Sequence, residues 1–263
     1  MKHIKKYLVI TRVSFSNTIT YRASLISRFV FYTLFIYIFM SLWKAIYQEG
    51  SVHGYSYIQI VWYLIMTEFI GFASGGDIYK DMNEDVKSGS IAYQLGRPTH
   101  YVFYQFFNSL GQSLLNLLTF GVLSVTLGFL FVGPLVTFRL DTIFYLLVSI
   151  FLGITLHFFI CMLIGLSSFY VEDNYAIFLI YQKATFMLGM FLPVEFLPSW
   201  LQGIAKNLPF SYIQWAPARI FVGCSSEICM QLITNQLIWT VVAVSLTFIC
   251  YHIGIRRLQV NGG

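Results

Sequence analysis

At 263 residues, of which 10% are charged and 57% hydrophobic, with a mean hydropathy of +0.71, the chain cannot cover a water-facing exterior; a soluble domain carries about 25% charged residues. Sixteen basic residues against eleven acidic ones leave a net charge of +5, whose meaning lies in where it sits. The composition excludes an ordinary soluble domain and points to an integral membrane protein.

In lipid the backbone must satisfy its own polar groups, which leaves helices and closed barrels. The ten-residue alternation of a barrel strand is absent, and apolar runs near twenty residues recur. The expected fold is all-α: six transmembrane helices with an N-terminal interfacial helix, a helix in the long cytoplasmic connection, and short external re-entrant helices. With no repeat, low-complexity linker or composition shift, residues 1–263 read as one membrane domain.

Residues 1–28 hold Lys2, Lys5, Lys6, Arg12, Arg22 and Arg28 with no acid. Ile4, Leu8, Phe15 and Ile19 share a helical face, the cations lie towards the opposite one, and Val9 and Val13 interrupt the polar side. A helix in the cytoplasmic interface is expected, with basic side chains on anionic headgroups; a basic tail that only sets orientation is the alternative.

From Phe29 to Trp43 only Thr33 and Ser41 fall outside the hydrophobic set. Extended to Gln48, the run suits a hydrocarbon core of about 30 Å at about 1.5 Å per residue. It exceeds the apolar core of a signal peptide, about 7–15 residues, so the span is expected to persist in the mature protein. Further runs cover 57–76, 107–132, 142–168, 176–195 and 231–253. An even number of spans puts both termini on one side. That side gathers the six N-terminal cations with Lys80, Lys87, Arg97, Arg256 and Arg257, against Lys44, Arg139, Lys206 and Arg219 opposite. The bias places both termini in the cytoplasm.

The connection 77–100 holds seven of the chain's formal charges. Asp77, Asp81, Glu84 and Asp85 form an acidic helical stripe at i, i+4, i+7 and i+8, with Lys80 among them and Asp77 as a candidate cap. Ser88, Gly89 and Ser90 break that helix. Arg97 can remain at the headgroups and Pro98 marks the boundary of the third span. An ordinary solvated loop is the competing reading.

Within the spans Glu68, His157 and Lys183 are the polar exceptions, candidates to pair or to line a pathway, with structural packing or snorkelling of Lys183 as the alternative. Gly121, Gly128, Gly153 and Gly165 suit close helix contacts. Between the fifth and sixth spans, over 193–230, four of six prolines cluster: Pro193, Pro198, Pro209 and Pro217. Broken or re-entrant helices are expected there, with Trp200, Phe210, Tyr212 and Trp215 suited to the headgroup zone. Such a cap is a candidate outer gate; an interface-packed loop is the alternative. Cys224 and Cys229 either bridge outside the cell or stay as thiols. No His spacing suits a metal, and no nucleophile motif suggests catalysis.

Three stretches resemble a known family. The run EDVKSGSIAYQLGRP, Glu84 to Pro98, is similar to the cytoplasmic signature of type 2 ATP-binding-cassette (ABC) exporter permeases. The ending RRLQVNGG resembles the C-terminus of a bacterial branch, and PVEFLPSWLQGIAKNLPF, Pro193 to Phe210, resembles the family's external segment. The resemblance implies the permease subunit of a bacterial exporter, in the plasma membrane, whose cytoplasmic loop docks on a separate ATPase. Glu84, Asp85, Gly89 and Pro98 carry that role by resemblance; Asp77, Lys80 and Asp81 join them through the stripe, and Arg97 through its place at the loop's end. The external gate is assigned to Pro193, Glu195, Pro198, Trp200 and Pro209.

Two nucleotide-binding subunits, a second permease copy or related chain, and membrane lipids are the implied partners; nucleic acid is not. The sequence holds no phosphate loop, so ATP and Mg belong to the partner ATPase, and no cofactor or metal is expected in this chain. The rival readings are a proton-coupled secondary transporter using Glu68, His157 or Lys183 and a non-transporting membrane assembly factor.

Overall fold

The computed structural model describes residues 2–20, 22–47, 54–75, 78–171 and 173–261. Among them the protein is helical, with no strand. The helices are α1 (Lys2–Thr20), α2 (Arg22–Ile46), α3 (Tyr57–Ala73), α4 (Ile78–Lys87), α5 (Ser90–Leu95), α6 (Tyr101–Phe131), α7 (Ile143–Leu166), α8 (Tyr175–Thr185), α9 (Ser199–Lys206), α10 (Pro209–Val222) and α11 (Ser226–Asn261). A π-helical turn, Phe186–Met190, continues α8 without a break.

Local sequence accounts for several of these boundaries. Ser56 and Gln59 form a reciprocal capping box that opens α3, with Ser56 N–H donating to Gln59 Oε1 at 2.9 Å. Pro209 starts α10 at the position where its missing N–H costs nothing. Gly89, at φ +72°, ends the α4 run and turns the chain into α5.

Among the described residues five helices are long and apolar enough to cross a membrane: those containing α2, α3, α6, α7 and α11. The expected span over 176–195 is instead α8 plus its π turn, Tyr175 to Met190, which rises only about 24 Å. Pro193 ends that run, and the chain then bends into short helices.

Contacts define two ends of the bundle. At the first, Tyr79 of α4 stacks on Phe178 of α8 at 3.8 Å, Tyr101 of α6 lies parallel to Tyr251 of α11 at 6.3 Å, and Asn174 Nδ2 donates to the Ile164 carbonyl at 2.9 Å. At the second, Trp62 Nε1 donates to the Gly133 carbonyl at 3.0 Å, Thr137 Oγ1 to that of Val222 at 2.8 Å, and Trp43 and Tyr55 meet Phe196. The chain runs between these ends along α2, α3, α6, α7, α8 and α11.

Other boundaries shift from expectation. The helix expected from Phe29 begins at Arg22, that expected from 107 begins at Tyr101, and that expected over 231–253 extends from Ser226 to Asn261. Arg28 is accommodated inside α2 because its guanidinium donates to the Phe72 carbonyl at 2.8 Å and lies 5.0 Å over the Phe120 ring. The N-terminal helix forms, but its packing face is not the apolar one. Tyr7, Thr11 and Ser14 pack on α6: Tyr7 stacks on Phe107 at 5.0 Å, and Ser14 Oγ donates to the Asn108 carbonyl at 2.6 Å. Gly111 allows that approach, since a Cβ there would meet the α1 backbone at Thr11. Leu8 and Ile19 are left exposed.

Of the glycines expected at close helix contacts, Gly128, Gly153 and Gly165 mark them, whereas a Cβ on Gly121 would stand 3.5 Å from Phe69, an ordinary packing distance. A Cβ on Gly165 would fall 2.8 Å from Met82 of α4, and one on Gly128 would collide with the Trp62 ring. Gly153 faces the Ile213 carbonyl, where a Cβ would stand 2.6 Å away. That carbonyl has no helical donor because Pro217 lies four residues on.

Candidate functional site

Glu68, His157 and Lys183, far apart in sequence, line one cavity of about 420 Å³ between α2, α3, α7, α8 and α10. They do not form the ion pair considered from sequence: among the described residues the pairs are Arg139–Asp141 and Arg219–Glu195. Glu68 is 1% exposed, and among the described residues its Oε1 finds no hydrogen-bond partner. Lys183, also in the lining, is exposed. His157 Nδ1 shares a 2.6 Å hydrogen bond with the Tyr181 hydroxyl, which fixes the ring in the wall.

Arg28, Ser74, Gln182, Thr185 and Gln214 also line this cavity, and the sequence singles out none of them for it. In the sequence Arg28 counts only as an orienting charge, and Gln214 falls in the external segment where broken or re-entrant helices are expected. Gln214 reaches the cavity because residue 71 is glycine: a Cβ there would sit 2.8 Å from its Nε2. Its Oε1, like that of Glu68, has no partner among the described residues. Phe31, Phe35, Phe72 and Phe178 supply the apolar walls. Cations, a carboxylate and an amide set among aromatic rings suit a molecule that carries a polar group on an apolar body.

At the first end, α4 and α5 make a rigid elbow. Ile78, Tyr79 and Met82 are buried, with Met82 seated on Gly165 of α7. Lys80, Asp81 and Glu84 face outwards, as do Gly89, Arg97 and Pro98 beyond the turn. Asp85 departs from the acidic stripe and turns inwards: its carboxylate accepts from Ser90 Oγ at 2.8 Å, Gln94 Nε2 at 2.7 Å and the Tyr101 hydroxyl at 2.9 Å. Asp77 lies outside the described residues.

At the opposite end, α9 and α10 form a cap. Glu195 accepts from Arg219 Nε at 3.1 Å and from Trp215 Nε1 at 3.2 Å, and Arg219 also donates to the Gly223 carbonyl. The Arg219 guanidinium lies 5.4 Å over the Tyr55 ring. Burial first, and the Glu195 charge second, raise the Tyr55 phenol above its ordinary range. Pro193 is buried before the turn Val194–Phe196, Pro198 precedes α9, Pro209 begins α10, and Trp200 is 68% exposed. Trp215 and Tyr212 are buried instead of lying at a headgroup surface, because their polar tips find Glu195 and the Lys206 carbonyl within the protein. Cys224 and Cys229 are joined as a disulfide, with Cα atoms 6.1 Å apart.

An all-helical, multi-pass membrane protein with a mixed-charge cavity between its helices is the class this architecture defines. Within that class the chain belongs to the ABC-2 family: the family model described as ABC-2 family transporter protein matches residues 30–262. No curated protein matches it. The chain is thus a membrane permease of the ABC transporter kind; α1, in residues 2–20, lies ahead of the matched stretch.

Proposed function

We propose that this permease is the membrane subunit of a bacterial exporter, driven by two ATP-hydrolysing subunits that bind at the α4–α5 elbow from the cytoplasm. The elbow carries the proposal. Its apolar face is locked onto α7 and its Asp85 onto α6, while Lys80, Asp81, Glu84 and Gly89 are presented outwards. A lever of this kind passes on movement only if the motor's ATP-bound and ATP-free states interact with it unequally. ATP and Mg act on the motor subunits.

In this reading all six passes cross the plasma membrane, with both termini cytoplasmic. The cation-rich α1 and elbow at one end support that orientation, as does the disulfide at the other, since disulfides persist outside the reducing cytosol. The cavity holding Arg28, Glu68, His157, Lys183 and Gln214 receives the cargo, and the cap around Glu195 and Arg219 gates its exit. A second permease, identical or related, completes the transporter. The exposed Phe31, Leu34, Ile38 and Leu42 of α2 and Ile180 and Met187 of the fifth pass favour such a neighbour.

The test is co-purification followed by transport in vesicles. The permease is expected to retain a soluble ATPase in stoichiometric amount, and Glu84→Lys is expected to weaken that association without reducing membrane insertion. Full association and full transport by Glu84→Lys would overturn the elbow's role. The meeting of Glu68, His157 and Lys183 in one cavity favours a second reading, a proton-coupled carrier. Uphill transport by the chain alone under a pH gradient, without ATP or ATPase, would establish that reading and sink the first.

A further inference from the structure

Two basic residues of α1 and one of the link into α6 meet in one place. Lys5 and Lys6 from α1 and Arg97 from the link line an open groove of about 530 Å³, with Val9, Ile10, Pro98, Thr99 and Tyr104. Three cations share that lining with no acid, and none of them forms an ion pair among the described residues. Arg97 is held in place: its guanidinium lies 5.3 Å over the Tyr93 ring and 5.7 Å over the Tyr104 ring. A cation fixed by stacking needs little reordering to receive an anion.

We infer that the groove between α1 and the α5–α6 link, formed by Lys5, Lys6, Arg97, Val9 and Tyr104, is a binding site for one anionic phospholipid. The headgroup phosphate sits among the three cations and an acyl chain follows Val9, Ile10 and Tyr104. The mixture of charge and apolar surface selects a lipid over a free anion. A soluble phosphate would use only the cations, whereas Val9, more than half exposed beside them, is covered only by an occupant that also carries hydrocarbon. The site spans α1, which packs along α6 through Ser14 and Tyr7, and the link leaving the elbow. An occupied groove therefore ties these two segments together.

The purified full-length permease, with any partner subunits that accompany it, is loaded in detergent with phosphatidylglycerol or phosphatidylcholine. Retained lipid is then counted by native mass spectrometry. The wild type is expected to retain phosphatidylglycerol in preference. Lys6→Gln and Arg97→Gln are each expected to weaken that retention about fivefold, the effect of one cation at an anionic surface. Arg12→Gln, an equally exposed cation on α1 outside the groove, is expected to leave it unchanged. The inference is overturned by equal retention of the two lipids or by an Arg12→Gln loss as large as that of Lys6→Gln. It is also overturned if glycerol phosphate, which has no acyl chain, competes as well as the intact lipid. Lys5, Lys6 and Arg97 are all exposed, so the single variants are expected to fold, and unchanged melting temperatures in lipid-free detergent check that they do.

Discussion

The Tyr101 hydroxyl donates to the Asp85 carboxylate at 2.9 Å, joining the first residue of α6 to the last turn of α4 across the elbow. Gln105 Nε2 donates to the same hydroxyl at 3.0 Å, so the tie continues one turn into the long helix. A hydrogen bond to a charged group contributes about 1.5–3 kcal/mol, enough to decide whether the elbow moves with α6 or apart from it.

Tyr101→Phe is expected to leave the ATPase bound, because the exposed face of the elbow is untouched, but to uncouple it. ATP turnover should persist while transport falls several-fold. Side-by-side measurement of ATPase activity and vesicle uptake checks this; an equal fall in both would place Tyr101 in docking instead.

Gly165→Leu is expected to lift α4 from α7, since even a Cβ at that position reaches within 2.8 Å of Met82. Overpacking of this kind costs about 1–3 kcal/mol. Gly165→Ala should be milder only because it adds a single methyl; that methyl still meets Met82 Cβ and, at 3.3 Å, Tyr79 Cα, which move only with the α4 backbone. Melting in detergent ranks the two, and proteolysis of the elbow shows whether the loss is local.

Arg219→Met is expected to destabilise the cap by about 1–3 kcal/mol, because it strips Glu195 of its guanidinium partner and leaves a mostly buried carboxylate under-satisfied. The double variant with Glu195→Gln should recover part of that loss. A thermal-melt double-mutant cycle measures the coupling.

Glu68→Gln is expected to keep or raise the melting temperature while changing transport. The carboxylate is buried and its Oε1 lacks a partner among the described residues, so a neutral amide is easier to keep there. A melting curve paired with a cargo-uptake assay separates the two effects.

The Cys224–Cys229 bridge closes a short loop, for which chain entropy gives about 2 kcal/mol. Cys224→Ser/Cys229→Ser should melt lower by that amount. A membrane-impermeant maleimide applied to intact cells is expected to label the wild type at these positions only after reduction, which tests the sidedness as well.

The membrane fold was legible because lipid demands long apolar stretches, and the runs beginning at Phe29 and at 57 and 142 are unambiguous on that ground. The break at Gly89 was legible too, since Ser-Gly-Ser punctuates a helix wherever it falls. What the sequence hid depends on distant segments meeting. The prolines of 193–230 point to broken or re-entrant helices, and 209–222 is a short helix, but nothing in that stretch tells that it is buried along most of its length. Pro209 opens that helix, and Pro217 frees a carbonyl where α7 offers Gly153. Asp85 looked like one more acid on an exposed stripe, and only the fold brings Ser90, Gln94 and Tyr101 around it. Glu68, His157 and Lys183 were visible as misfits one by one, while their shared cavity, and the places of Arg28 and Gln214 in it, come from helix packing alone.

The change of winding at Phe186 divides the run from Tyr175 to Met190 into two pieces held by different neighbours. α8 is gripped through Tyr79 and His157, whereas the turn beyond it offers the Gly189 and Met190 carbonyls sideways to Tyr63 and Thr67. On the proposed function, a push arriving at Phe178 would have to reach the cap along this route through a five-residue knuckle latched by two hydroxyl groups on α3. Slackening that knuckle would leave both halves of the machine intact and in place, yet out of step with one another.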